Sequence, residues 1–313
     1  MNSAARIALV IPVYNEAPVL PELLRRLDAL MTSNPAENWS VVFVNDGSRD
    51  QSAELILAHA ARDARYALVD LSRNFGHQAA LTAGLAHASG ADAVVTMDAD
   101  LQDPPELIPE LVASWRGGAE VVLAVRRSRQ ERGLRRISFD LFHRGFGRLI
   151  DFPIERNTGT FGLLSGAAVG AFNSLPEKHR FFPGLRAWIG FPHGEVSYDR
   201  LERAAGTPSV TFSRLVRYAL DGLFSFSHLP LRVLTYLGLF IAGCGFAIGA
   251  FFVARRLLGV EVAFTGFTTL VTLVLFLGGV QLIGIGVLGE YLGRIYEEVK
   301  RRPHYIVRRR VGL

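Results

Sequence analysis

One cysteine in 313 residues excludes a disulfide framework and a thiolate metal site. That residue, Cys244, lies in an apolar run and reads as a small buried hydrophobe. The strand-to-helix turns contain neither G-x-G-x-x-G nor G-x-x-x-x-G-K-[ST], so both common glycine-rich phosphate loops are excluded there. A nucleotide bound at those turns would need side chains and a metal for its phosphates. Charge of one sign is also scarce: 34 basic and 29 acidic residues leave only +5. Residues 1–6 are polar and 7–13 are too short for a leader core, so no secretory signal is expected.

What is present is apolar. Half of the residues are hydrophobic and mean hydropathy is +0.24, too high for disorder and suggestive of a globular part with membrane segments. Up to about residue 125, short apolar runs alternate with helical stripes, the signature of parallel β/α units. Strands are expected at 7–13, 41–44, 66–71, 93–97 and 120–125, with helices at 17–31, 52–61, 77–88 and 105–115. The fold class is α/β, a doubly wound and mostly parallel sheet.

The strand ends carry the chemistry. Strand one runs into Pro-Val-Tyr-Asn-Glu at 12–16, strand two into Asn-Asp-Gly-Ser at 45–48, and strand three into Ser-Arg-Asn-Phe-Gly at 72–76. Strand four runs into Asp98-Ala-Asp100-Leu-Gln102-Asp103. Parallel strands bring all four turns to one crevice. Each alone is ordinary turn or cap chemistry. Asp98 and Asp100 share one face of an extended chain and repel unless a cation or proton intervenes. Alone, such a pair is an acidic surface turn; with the other turns it suits a divalent metal carrying a diphosphate. Asp103, Pro104, Pro105 and Glu106 read as a helix start with Asp103 as cap.

Two stretches, 135–150 and 212–228, mix arginines with aromatic and aliphatic residues. Each suits a helix in a membrane interface, or an ordinary amphipathic helix on the core. Residues 234–254 and 264–288 carry no charge, and each exceeds the ~20 residues that span a bilayer as helix. Their glycines allow close helix contact. Arginine and lysine are denser after the second span than in the connector, so a hairpin is expected with the 291–313 tail and the domain at 1–232 both cytoplasmic. The basic excess then suits anionic lipid better than nucleic acid.

The strand-end motifs together resemble the family 2 glycosyltransferases of GT-A fold. The similarity is strongest to polyprenyl-phosphate glycosyltransferases, such as dolichol-phosphate mannose synthase and the GtrB-type bactoprenol glucosyltransferases. It extends through Arg126-Arg-Ser-Arg129, the 180–190 segment, Tyr198-Asp-Arg200, 219–222 and 288–296. The resemblance implies an inverting transfer from a UDP- or GDP-linked sugar to polyprenyl phosphate. It implies that Pro12, Tyr14, Glu16 and Asp46 hold base and ribose, that Asn74 belongs to the donor site, and that Asp98, Asp100 and Gln102 bind Mg2+ or Mn2+. It implies Arg126, Arg135 and Ser138 for the acceptor phosphate, a site at the inner membrane, and a homo-oligomer built through the membrane helices.

The sequence departs from that pattern at 157–163. Members of this type commonly read D-T-G-D-F-R-L, and here Asn157, Thr160 and Gly162 replace both acids and the arginine. Pro208-Ser209 also replaces a usual Ser-Lys pair. Altered donor contacts account for this; weakened activity is the other reading. Two rivals remain: a polysaccharide synthase, which usually carries Gln-x-x-Arg-Trp and more spans, and a non-enzymatic nucleotide-sugar-binding module.

Overall fold

A computed structural model describes residues 4–127, 158–178, 180–199, 229–258 and 266–313. The chain divides into two compact units, one of residues 1–147, 152–215 and 302–313, the other of 148–151 and 216–301.

Among the described residues, the first unit is built on one eight-stranded sheet. Strands β1 (Arg6–Val13), β2 (Asn38–Asn45), β3 (Tyr66–Leu71) and β4 (Ala93–Thr96) pair in parallel, in the order β4-β1-β2-β3. Helices on both faces bury these strands, so they read as continuous apolar runs without alternation. Helix α1 (Leu20–Ser33) has proline in its first turn and buries Leu20, Leu23, Leu24, Leu27, Leu30 and Met31. That i, i+3, i+4 stripe is what the sequence shows, and each buried leucine contributes about 1.5–3 kcal/mol. Helices α2 (Ser52–Ala60) and α3 (His77–His87) follow β2 and β3. A Cβ at Gly84 would lie 2.2 Å from Val10 Cγ1, so glycine lets α3 close on β1.

After β4 comes a single 3-10 turn (Pro105–Leu107) and then α4 (Ile108–Arg116). The cap position is Pro104, which makes no side-chain cap bond; the Asp103 carboxylate accepts from Tyr198, and Glu106 pairs with Arg26 of α1. Strand β5 (Val121–Arg126) does not neighbour β4. The antiparallel β6 (Thr158–Ser165) lies between them, and β7 (His193–Tyr198) runs parallel beyond β5. Helices α5 (Gly166–Ser174) and α6 (Phe182–Trp188) connect β6 to β7. Ser165 caps α5 by accepting from Ala168 N at 3.1 Å.

The opposite edge is closed by β8 (Val307–Val311), antiparallel to β3. The sequence reading left this segment as a basic tail facing lipid. Arg308 and Arg309 instead meet the buried Asp70 of β3 at 2.8 and 3.4 Å, so part of the basic excess neutralises the sheet edge.

The second unit contains α7 (Leu229–Leu257) and α8 (Phe267–Val299). Both contain stretches long and apolar enough to cross a membrane, Leu229–Phe251 and Phe276–Val299. Large side chains such as Phe240, Phe246 and Leu282 are exposed along them. Helices apolar all round with that much bare surface require lipid or another apolar partner. Helix α8 starts later and continues further than the 264–288 reading. The G-x-G-x-x-G string at 284–289 lies inside this unbroken helix and forms no phosphate loop. The stretches at 135–150 and 212–228, with Arg135, Ser138, Asn157, Pro208 and Ser209, lie outside the described residues.

Candidate active site

The carboxyl ends of β1 to β4 share one sheet edge, and their turns bond to one another. Asn15 takes a left-handed φ of 56°. Its N–H donates to Ser48 Oγ at 3.0 Å, and its Oδ1 accepts from Arg49 N at 2.8 Å. Glu16 N donates to Ser52 Oγ at 3.0 Å, and Ala17 N donates to Asp50 at 3.0 Å. These bonds join the first turn to the second. The second is joined to the third by Asp46, only 3% exposed. Its two oxygens accept from Phe75 N at 2.7 Å and Gly76 N at 2.9 Å. Burial pushes the Asp46 carboxyl up, although those two N–H groups oppose the shift. Gly47, at φ +67°, allows this approach: a Cβ there would lie 2.6 Å from backbone atoms of Arg73 and Asn74.

Pro12 is half-buried at the end of β1, Glu16 is half-buried beyond it, and Tyr14 and Asn74 are exposed on their turns. Tyr14, 45% exposed, is an aromatic face open for stacking.

The fourth turn holds the paired acids. Asp98 Oδ1 lies 3.1 Å from His77 Nε2 and accepts from Thr160 Oγ1 at 3.1 Å. Asp100 is buried and accepts from Gln102 N at 3.1 Å. Between them and Gln102 stands Leu101 at φ 60°, a strained conformation for a residue with a side chain. Among the described residues no group of three His, Cys, Asp or Glu gathers as a self-sufficient metal cage. Two carboxylates and an amide oxygen are nonetheless hard donors that suit Mg2+ or Mn2+, with remaining positions for substrate oxygens. The donor set fits the ion that the resemblance implies.

Arg126, at the end of β5, is held from three sides. Its Nε donates to Tyr198 Oη at 3.2 Å, and its Nη2 lies 3.9 Å from Asp103. Tyr198 in turn donates to Asp103 Oδ1 at 2.5 Å. On the third side a Cβ at Gly159 would lie 2.6 Å from Arg126 Nη2. Burial works against the guanidinium charge, but Tyr198, Asp103 and Asp98 outweigh it and hold the pKa of Arg126 above its ordinary value.

Residues 8–172 match the model of the glycosyl transferase family 2 domain, from β1 through β6 and across all four turns. The chain belongs to glycosyl transferase family 2. The bactoprenol glucosyl transferase of Shigella phage SfII is 44% identical over 306 residues, covering 97% of this chain and 98% of that one. A prophage bactoprenol glucosyl transferase homolog of Escherichia coli K12 is 40% identical, covering 97% and 99%. Among solved structures, the Pyrobaculum calidifontis mannosyltransferase PcManGT, in complex with GDP-Man and Mn2+, is similar in fold. It shares 16% identity at a TM-score of 0.50, covering 96% of this chain and 86% of that one. The GT-A architecture expected from the sequence is therefore present.

In this family 2 glycosyltransferase, the departures from the GtrB pattern have local reasons. Thr160 stands where an acid is common, and its hydroxyl bonds the carboxylate of Asp98. A side chain at Gly162 would meet Val122 O at 2.5 Å, so this backbone excludes the usual arginine. The buried guanidinium of Arg186 lies 3.5 Å from the Cβ position that Gly162 leaves vacant. His77, Asp103, Gly159 and Tyr198 are neighbours of the site to which the sequence assigns no role there, although Asp103 lies in the strand-four turn, Tyr198 in the 198–200 motif, Gly159 in the 157–163 segment and His77 directly after Arg73–Gly76.

Proposed function

We propose that this glycosyltransferase moves a sugar from a nucleotide-sugar donor to polyprenyl phosphate, with catalysis at the cytoplasmic face of the inner membrane. One observation carries the reading: neighbouring residues of β6 touch two sites of opposite charge. Thr160 bonds Asp98, and Gly159 borders Arg126. A donor diphosphate carried by a cation at Asp98 can then meet an anionic acceptor at Arg126. The full-length similarity to bactoprenol glucosyl transferases supports this acceptor class. The membrane topology is supported by the basic residues beyond the second span and by chain order. β8 follows both candidate spans yet pairs with β3, which precedes them, and this supports an even number of crossings.

Tyr14 would stack on the base, with Pro12, Glu16 and Asn74 around it. Asp46, expected beside base and ribose, also braces the third turn through both oxygens and so would shape the donor pocket. Asp98, Asp100 and Gln102 would hold Mg2+ or Mn2+. When bound, the ion would supply charge neutralisation to the departing diphosphate. Arg126 would bind the acceptor phosphate and orient one oxygen toward the anomeric carbon, with Arg135 and Ser138 as further proposed contacts. The new bond joins that oxygen to the carbon. The carbon's bond to the donor diphosphate breaks, and the nucleoside diphosphate leaves with the electron pair. A phosphate monoester is mostly dianionic at neutral pH, with a second pKa of about 6, so the attack needs no added base. Thr160 in place of an acid is compatible with that.

The test is release of nucleoside diphosphate by the full chain in vesicles, with and without polyprenyl phosphate, across a panel of nucleotide sugars. Acceptor-dependent release is expected, stopped by chelation and restored by Mg2+ or Mn2+. Asp98→Ala and Asp100→Ala should each lower it by roughly 100-fold or more, a loss of about 3 kcal/mol in transition-state stabilisation. Release that ignores the acceptor, or survives both substitutions, would refute the proposal.

A further inference from the structure

We infer that Asp103 and Tyr198 are a positioning pair that fixes where Arg126 can reach. The inference rests on the reading of Arg126 as the acceptor-phosphate residue.

Asp103 directly follows the metal motif, and its carboxylate has no exposure. Tyr198 ends β7 and is buried, with its ring edge-on to Phe161 at 5.6 Å between centroids. A tyrosine hydroxyl has one proton. Here it goes to Asp103, so the oxygen faces Arg126 as an acceptor. The direction of each bond in the relay is thereby set: Arg126 Nε donates to Tyr198, and Tyr198 donates to Asp103. With Nε engaged, the terminal nitrogens remain to grip a phosphate in the bidentate manner of guanidinium. Gly159 supplies the space in which Nη2 sits.

The arrangement has a physical purpose. An unrestrained arginine loses rotamer entropy on binding. Anchoring the side chain beforehand removes much of that loss from the acceptor-binding step. Tyr198 also keeps Arg126 from closing further onto Asp103. At 3.9 Å the two form a long ion pair, and the tyrosine oxygen, bonded to Nε, stands in the way of closer contact. Loss of the hydroxyl should let Arg126 fold inward, away from the acceptor.

Three variants separate positioning from simple structural support. Tyr198→Phe keeps the ring and its packing while removing the relay oxygen. Gly159→Ala leaves the relay intact and displaces Nη2 from the other side. That clash is with the end of a flexible side chain, so the fold should survive. Arg126→Ala reports on the residue being positioned. Steady-state kinetics should be measured with the full chain in detergent, varying a short-chain polyprenyl phosphate and the sugar donor separately, alongside thermal unfolding. Tyr198→Phe and Gly159→Ala should each raise the acceptor KM on the order of tenfold with donor KM little changed; Gly159→Ala should leave Tm little changed, whereas Tyr198→Phe should also lower it, because the buried Asp103 loses a donor. Adding Asp103→Asn to Tyr198→Phe should recover part of the loss, because the inward pull on Arg126 is gone. If Arg126→Ala raises the acceptor KM and the other two leave it unchanged, the positioning role is wrong and the functional reading stands. If Arg126→Ala leaves it unchanged, both fall. Parallel rises in donor and acceptor KM with a lowered Tm would show general structural support, and also overturn the inference.

Discussion

Gly47 is the point where two turns of the proposed donor site touch. Its left-handed φ and the 2.6 Å approach to backbone of Arg73 and Asn74 leave no relief for a side chain. Gly47→Ala should therefore destabilise the protein by about 2–3 kcal/mol, read as a lower urea midpoint at unchanged slope. The donor KM should rise with it, since Asp46 would lose its alignment with Phe75 and Gly76. Asn-Asp-Gly-Ser was legible as turn chemistry, and the glycine requirement follows from it. The partner was not legible, because nothing local links residue 47 to residue 73. Asp103 shows the same limit from the other side. Acid, two prolines and a glutamate spell a helix start, yet distant Tyr198 and Arg26 take the two acids. A local signature states what a residue can do, and tertiary contacts decide among the options.

At the scale of elements, the parallel strands were readable because burial on both faces gives unbroken apolar runs. The strands missed at first lack that signal. β6 carries two glycines in Thr-Gly-Thr-Phe-Gly-Leu-Leu-Ser, and β8 reads Val-Arg-Arg-Arg-Val. β8 is held by chemistry that period cannot show: Asp70, 1% exposed, accepts from Asn45 Nδ2 at 2.8 Å and from Arg308. Replacing Arg308 and Arg309 together by alanine would leave that buried carboxylate short of donors. A cost of about 1–3 kcal/mol is expected in urea unfolding, with partial recovery on adding Asp70→Asn. Asn45 also accepts from Ser48 N at 3.1 Å, so the same bonds reach the donor turn. Strand tyrosines give a pH prediction. Burial, with Asp28 beside Tyr66 and Asp103 beside Tyr198, pushes both phenols above their ordinary value of 10.0. Their protonated forms are favoured in the fold. The stability they contribute is thus present below pH 10 and is lost as pH rises above it. Each should steepen the alkaline loss by up to about 1.4 kcal/mol per pH unit, and Tyr198→Phe should flatten the profile by its share.

For the whole molecule, hydropathy located both long helices, while their ends shifted by several residues because apolarity alone does not state where a helix stops. The bare apolar surface of α7 and α8 predicts that the full chain sediments with membranes and resists extraction by salt, which weakens only exposed charge contacts. Release by high salt without detergent would contradict that. Ending the chain after Tyr305 should keep the apolar helices yet uncover the edge of β3, and aggregation of the extracted protein is the expected result.

Strand β8 also sets an order of events during biosynthesis. β3 emerges early, whereas its outer neighbour emerges only after both apolar helices have left the ribosome. At roughly 5–20 residues per second, that wait lasts on the order of tens of seconds. During this interval a nascent sheet with one unpaired border must avoid other nascent chains, so yield in cells should respond to holdase supply more steeply than the finished protein's resistance to urea suggests.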